Sequence, residues 1–180
     1  MPGRRVLTIG HSTHDLPGLV ALLRRHEVQV LADVRRFPGS RRLPHFNRGA
    51  LEDGLSEASI AYRHLPELGG RRAASPDSAH AGWRVEGFRG YAEYMESEEF
   101  AAGLDRLLAV AGERLTAVMC AEGLWWRCHR RLVADALLVR GWPVEHVAPD
   151  GGTSEHELTD FAVVQGERIA YRAPQQRLGA

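Results

Sequence analysis

Short apolar runs alternate with helical patterns along this chain. The stretch RVLTIGHST, residues 5–13, has an unbroken apolar centre closed by Gly10 and polar residues, and it reads as a buried strand. Residues 15–28, DLPGLVALLRRHEV, place Leu16, Leu19, Val20, Leu22 and Leu23 at helical spacing, with Pro17 near the start. VQVLADVRRF, 28–37, reads as a second buried strand. Strand, helix, strand in so short a span is a βαβ unit, which predicts that the two strands are parallel.

The pattern continues. Residues 38–49 are rich in Pro, Gly, Ser and Arg and read as a loop. A helix is expected over 48–59 and a short third strand, IAYRHL, over 60–65. Residues 66–90 show little periodicity, and a loop that long in a compact domain suits a lid or another functional role. The longest helical stretch covers 91–112, with a break near Ser97. RLTAVMCAE at 114–122 reads as a fourth strand, 125–141 as a helix closed by Gly141, and WPVEHV at 142–147 as a fifth strand. The segment from 150 to 180 reads as a C-terminal extension holding a short helix or a strand pair around Gly166. The expected architecture is a single α/β domain over 1–180. It has a mainly parallel sheet of about five strands with helices on both faces, the three-layer Rossmann-like or flavodoxin-like arrangement.

In such sheets ligands bind beyond the carboxyl ends of the strands, near a topological switch point. That rule gathers scattered polar residues into one candidate site. Strand one ends at His11 and Ser12, strand two at Asp33, Arg35 and Arg36, strand three before Gly69, Gly70 and Arg71, and strand four at Cys120 and Glu122. Arg127, Cys128, His129 and Arg130 follow on the next element.

Composition narrows the chemistry. With 180 residues, 44% of them hydrophobic and 26% charged, the chain reads as an ordinary globular domain. No apolar run approaches a membrane span, and the N-terminal run VLTIG is too short for a secretory leader, so a cytoplasmic protein with no membrane partner is expected. The net charge is zero, which gives no global signal for nucleic acid. All 23 basic side chains are arginine, so a Walker A lysine, a Schiff-base lysine and a lysine general base are excluded. Arginine pairs at 35–36, 41–42, 71–72 and 130–131 suit bidentate contact with phosphate or carboxylate, although a solvated surface is the plainer reading of any single pair.

The two cysteines frame the most unusual stretch, MCAEGLWWRCHRR at 119–131. Cys120 lies at a strand tip and is the expected centre of chemistry. Cys128 falls on the apolar stripe with Leu132 and Ala136, so a buried structural thiol is its default reading. Its place in a first helical turn beside Arg127, His129 and Arg130 argues instead for a depressed pKa. The order of strand, Cys, loop, Arg and helix is similar in layout to tyrosine phosphatases and rhodaneses, but phosphatases place five residues between Cys and Arg, and here six separate Cys120 from Arg127. A metal site built from Cys120, Cys128, His129 and a histidine of strand one is a second reading. Its Cys-x7-Cys-His spacing is not regular for zinc, and no cofactor is implied.

Several motifs together resemble the bacterial family called domain of unknown function 488. They are TIGHST (8–13), LADVRRFPGS (31–40), LPHFN (43–47), HLPELGG (64–70), FRGYAEYM (88–95) and MCAEGLWWRCHRRLVADAL (119–137). The resemblance covers nearly the whole chain and implies a single α/β domain, with no established reaction. Trp125 and Trp126 depart from it, standing where a proline and a small residue are expected.

Three functional expectations follow. In the first, the protein is an enzyme acting on a small anionic, phosphate- or nucleotide-like substrate. Cys120, Glu122, Asp33 and His11 are its catalytic candidates, and Ser12, Arg35, Arg36, Gly69, Gly70, Arg71, Arg127, Cys128, His129 and Arg130 its binding candidates. In the second it is a non-catalytic module that binds nucleic acid or a partner, with Trp83, Trp125 and Trp126 available for stacking. In the third it is a thiol-based metal or redox site.

Overall fold

The computed structural model describes residues 4–173. Five parallel strands and one antiparallel edge strand form the central sheet, in the order β3-β2-β4-β1-β5-β6. The strands are β1 (Val6–Gly10), β2 (Val30–Asp33), β3 (Ala61–His64), β4 (Thr116–Cys120), β5 (Val144–Val147) and β6 (Thr153–Glu155). The sheet thus has one strand more than the sequence pattern reveals. β6 pairs antiparallel with β5 through its backbone, and all three of its side chains are exposed, so it leaves no apolar signature.

The helices are α1 (Leu16–Arg25), α2 (Arg48–Glu57), α3 (Glu86–Tyr94), α4 (Glu98–Glu113) and α5 (Arg130–Val139). The Asp15 carboxylate caps α1 by accepting from the Gly18 amide at 2.7 Å. The break expected near Ser97 is real: its hydroxyl accepts from the Phe100 amide and starts α4, with Glu98 and Glu99 in the first turn. The helix expected from residue 125 begins only at Arg130. Residues 125–127 form a separate 3-10 turn, and Cys128 is extended. Gly141, at φ +75°, closes α5. The tail holds a hairpin, β7 (Ala162–Gln165) and β8 (Arg168–Tyr171), turning at Gly166; residues 174–180 of the expected extension lie outside the described residues.

Alternation along the strands sorts the core into two layers. Leu7, Ile9, Leu31, Ala117, Met119 and Val147 pack with Leu19 and Leu23 of α1 and Leu51 and Leu55 of α2. Val6, Ala32, Val118, Cys120 and Val144 face the opposite way, onto Tyr91 of α3, Leu104 of α4 and Leu132 of α5. This is a three-layer α/β domain. Among the described residues no helix is long and apolar enough to cross a membrane.

The connections locate the switch point. From β1 the chain leaves through α1, on one face, toward β2. From the adjacent β4 it leaves through α5, on the other face, toward β5. The two neighbours therefore diverge, opening a crevice beyond Gly10 and Cys120. Gly10 is needed there because a Cβ would come within 1.8 Å of the Glu122 carbonyl oxygen.

Candidate functional site

The crevice is a cavity of about 730 Å³. Its walls include His11, Ser12, Arg35, Arg36, Gly70, Arg71, Cys120, Glu122, Arg127, Cys128 and His129. Of the residues the sequence nominates, only Asp33, Gly69 and Arg130 are not on its lining. Gly69 packs instead against Arg36. The 66–90 segment, expected as a loop and lid, supplies a wall of the cavity through Gly70, Arg71, Val85 and Gly87–Phe88 at the start of α3. It is tied down by Trp83, which packs on Phe88, Phe161 and Tyr171, and by Ser75, whose amide and hydroxyl donate to Glu93.

The β1 end is locked to the β4 loop. The His11 amide donates to the Cys120 carbonyl at 2.9 Å, and the Ser12 amide to the Ala121 carbonyl at 3.0 Å. Ser12 takes a left-handed φ of 48°, which turns its carbonyl toward His11 Nδ1 at 2.9 Å. Since a carbonyl only accepts, Nδ1 carries the proton, and Nε2 faces Arg35 Nη1 at 3.5 Å as an acceptor. The ring stacks on Phe46 with centroids 4.3 Å apart. Burial lowers the His11 pKa, the bond to Ser12 works against that, and the Arg35 charge reinforces it, so the imidazole stays neutral.

Asp33, expected among the catalytic groups, is fully buried and lies off the cavity lining. Its carboxylate accepts from Arg35 Nε at 2.9 Å, Arg35 Nη2 at 2.7 Å and the Tyr62 hydroxyl at 2.7 Å. Arg35 Nη2 also donates to the Phe46 carbonyl. The Arg35 amide also donates to Oδ1 at 3.0 Å, so four donors engage the carboxylate, and Asp33 is the clamp that aims Arg35. Tyr62 and Phe46 complete this clamp, and sequence reasoning missed both because their polar contacts come from a strand interior and a backbone carbonyl.

At the floor, Cys120 Sγ and Cys128 Sγ lie 2.7 Å apart, and both thiols are free and buried. Burial and the bond to Cys128 push the Cys120 thiol well above its ordinary range. Burial also pushes Cys128 upward. The hydrogen bond from Cys120, the His129 ring and the Arg130 charge together outweigh it, and Cys128 sits well below the usual thiol range. The Arg130 amide approaches Cys128 Sγ at 3.5 Å, as does His129 Nδ1. The thiol whose pKa is lowered is thus Cys128, while Cys120, the expected centre of chemistry, is raised. Residues 128 and 130 are brought together by the chain's turn into α5, so Cys128 precedes the helix rather than standing in its first turn.

Arg130 itself is completely buried. Its guanidinium donates to the Glu122 carbonyl, and to Thr8 Oγ1 at 3.2 Å. Among the described residues it makes no ion pair with a carboxylate. Behind it runs a second buried chain. Thr8 Oγ1 meets His146 Nδ1 at 2.6 Å, His146 Nε2 meets His156 Nδ1 at 2.9 Å, and His156 Nε2 meets Asp135 Oδ1 at 2.8 Å. The Tyr171 hydroxyl donates to Asp135 Oδ2 at 2.8 Å. No periodicity signals this chain, because β1, β5, the tail and α5 each supply a piece.

The remaining candidates divide clearly. Glu122 is exposed at the cavity edge, where its carboxylate accepts from the Leu124 amide at 3.0 Å. Of the tryptophans expected to stack on bases, Trp83 is core and Trp125 stacks on His146 at 4.0 Å; Trp126 is 49% exposed. The sequence did not nominate Phe37 and Val85, which are 70% and 57% exposed on the cavity lining. Among the described residues no group of three or more His, Cys, Asp or Glu side chains is placed to hold a metal ion.

Comparison with curated proteins and with solved structures gives no match. A family model described as "Domain of unknown function DUF488" matches residues 15–137, from the cap of α1 to near the end of α5, a span that takes in both cysteines, Arg35 and Arg130. The chain belongs to that family, domain of unknown function 488.

Proposed function

We propose that the protein is a cysteine-dependent enzyme that acts on a small anionic substrate, a phosphate ester or nucleotide, with Cys128 as its nucleophile. One observation carries this reading: among the described residues the buried Arg130 guanidinium has no carboxylate partner, while its amide meets the Cys128 sulfur and its charge helps to lower that thiol. An uncompensated buried charge is costly, and the Cys128 thiolate is the counter-charge at hand. The guanidinium and the thiolate stabilise each other, which leaves a reactive sulfur at neutral pH.

The cavity suits such a substrate. Arg35, Arg36, Arg71 and Arg127 line it against the single carboxylate of Glu122. Its volume of about 730 Å³ fits a nucleotide-sized ligand. Phe37 and Val85 offer an apolar surface to the uncharged end of the substrate. In the proposed step Cys128 attacks phosphorus, an S–P bond forms, and the P–O bond to the leaving group breaks. The leaving oxygen takes a proton from His129, whose Nε2 has no protein partner. Water then attacks phosphorus, the S–P bond breaks, and the water proton returns to His129. The arginines hold the equatorial charge throughout. Two free, buried thiols suit a reducing compartment, and the cytoplasm is the proposed location.

Hydrolysis of p-nitrophenyl phosphate and of nucleoside monophosphates tests this. Cys128→Ser should abolish turnover, and Arg71→Ala or Arg127→Ala should raise KM about tenfold, the effect of one lost charged contact. Turnover by Cys128→Ser equal to that of the parent would defeat the reading.

A further inference from the structure

We propose that Cys128 and Cys120 also form a dithiol that reduces hydroperoxides, with Cys128 as the attacking sulfur and Cys120 as the resolving one. The inference rests on the same Cys128 nucleophile as the function proposed above, but it adds a redox activity to it.

The two sulfur atoms are brought together from positions eight residues apart. β4 delivers Cys120 to the sheet edge, the 3-10 turn at 125–127 reverses the chain, and the Sγ atoms meet at 2.7 Å. A disulfide needs about 2.05 Å, so bond formation closes a gap of about 0.7 Å. Both thiols are free, and no atom lies between the two sulfurs at that separation. An attacking sulfur with a resolving thiol in contact is the arrangement that favours passage from sulfenic acid to disulfide over further oxidation.

Exposure selects the oxidant. Cys120 is 3% and Cys128 6% exposed, at the bottom of the cavity. A protein disulfide cannot be presented to sulfurs so deep, whereas a small hydroperoxide can reach them. The cationic walls favour the oxyanion that leaves when the O–O bond breaks.

The chemistry balances. The Cys128 sulfur attacks the distal oxygen of a hydroperoxide. An S–O bond forms, the O–O bond breaks, and the leaving alkoxide or hydroxide takes a proton from His129. The sulfur is oxidised by two electrons and the peroxide is reduced to an alcohol or water. Cys120 then attacks the sulfenic sulfur. The S–S bond forms, the S–O bond breaks, and hydroxide leaves with the Cys120 proton as water. A low-molecular-weight thiol restores the pair, two of its molecules becoming one disulfide.

The test adds one equivalent of hydrogen peroxide to the whole chain and maps its peptides by mass spectrometry. The expected product links Cys120 to Cys128 with loss of two hydrogens, and dithiothreitol reverses it. Cys120→Ser should stop at a Cys128 sulfenic acid trapped by dimedone, and Cys128→Ser should consume no peroxide; circular dichroism checks that both variants are folded. Direct conversion of wild-type Cys128 to sulfinic acid would overturn the proposal. So would a failure to react with peroxide while iodoacetamide still labels Cys128 at about pH 6.5, an outcome that leaves the nucleophile reading intact. If neither reagent modifies Cys128, both readings fall.

Discussion

The backbone amide of Arg130 lies 3.5 Å from the sulfur of Cys128, while the guanidinium of the same residue is buried and hydrogen-bonded to Thr8 and to the Glu122 carbonyl. One residue thus offers the sulfur both a donor and a fixed positive charge. Arg130→Met keeps the amide and removes the charge. The Cys128 pKa should rise by a unit or more, and its rate of alkylation at about pH 6.5 should fall about tenfold. Arg130→Lys should restore part of the rate. If the Met variant, folded by circular dichroism, labels as fast as the parent, the thiolate does not depend on Arg130.

A second prediction concerns acid stability. His146 is buried between Thr8 and His156, and burial, then the charges of His156 and Arg130, lower its pKa to about 3. The unfolded chain would protonate this group near pH 6.5, so between these values the unfolded state binds more protons. Its contribution to stability is complete above about pH 6.5 and is lost as pH falls toward 3. At pH 4.5, two units below the unfolded value, the loss is about 3 kcal/mol. His11, also lowered, adds in the same direction. Urea unfolding at pH 7 and pH 4.5 measures it, and His146→Asn should flatten the difference. An unchanged pH dependence in that variant would assign the acid sensitivity elsewhere.

How much of this was readable in the chain depends on what kind of interaction made each feature. The inner strands β1, β2 and β4 declare themselves as apolar runs because both faces of each are covered, whereas the edge strand β3 leaves Arg63 exposed. β6 does not, since Thr153, Ser154 and Glu155 hold their place by backbone pairing alone. The strand-end rule located the cavity and most of its lining, because parallel strands must present their carboxyl ends together. It favoured Cys120 for its place at the strand tip, whereas the structure lowers the pKa of Cys128. That lowering comes from the bond with Cys120, the His129 ring and the buried Arg130 charge, and Arg130 stands near the exposed Arg127 in a stretch where the sequence distinguishes neither. The clamp around Asp33 was hidden for a similar reason: Tyr62 meets it only after β2 and β3 pair.

The third prediction tests the crossing at the switch point. A Cβ on Gly10 would lie 1.8 Å from the Glu122 carbonyl oxygen, 2.5 Å from its carbon and 2.8 Å from the Gly123 Cα. All three are backbone atoms, so relief requires the 121–123 loop to move. That loop provides the Glu122 carbonyl bound by Arg130. Gly10→Ala should therefore lower stability by about 2–4 kcal/mol, in the range of strained or overpacked sites, and also slow alkylation of Cys128. Thermal unfolding and labelling on one sample check both. A loss of stability with unaltered labelling would show that the loop moves without carrying Arg130.

The last prediction separates aiming a charge from moving a proton. Asp33 and Arg35 form a bidentate pair, with the carboxylate fully buried and the arginine side chain 9% exposed. Asp33→Asn preserves shape and removes the charge. Arg35 is then a nearly buried cation without its partner, which costs about 3–5 kcal/mol. Tyr62 also loses its charged acceptor. If Asp33 only aims Arg35, the variant should unfold at much lower urea and bind phosphate more weakly, while alkylation of Cys128 per folded molecule is unchanged, because the carboxylate does not touch the sulfur. If Asp33 instead carries a proton in the reaction, kcat should collapse in a variant whose phosphate affinity holds. Tyr62→Phe sharpens the comparison. It removes one donor from Asp33, at about 1.5–3 kcal/mol for a bond to a charged group, yet leaves the Arg35 pair in place. Its phosphate affinity should stay close to the parent's, and a large loss of affinity in Tyr62→Phe would mean that Arg35 is held by the whole triad and not by the ion pair alone.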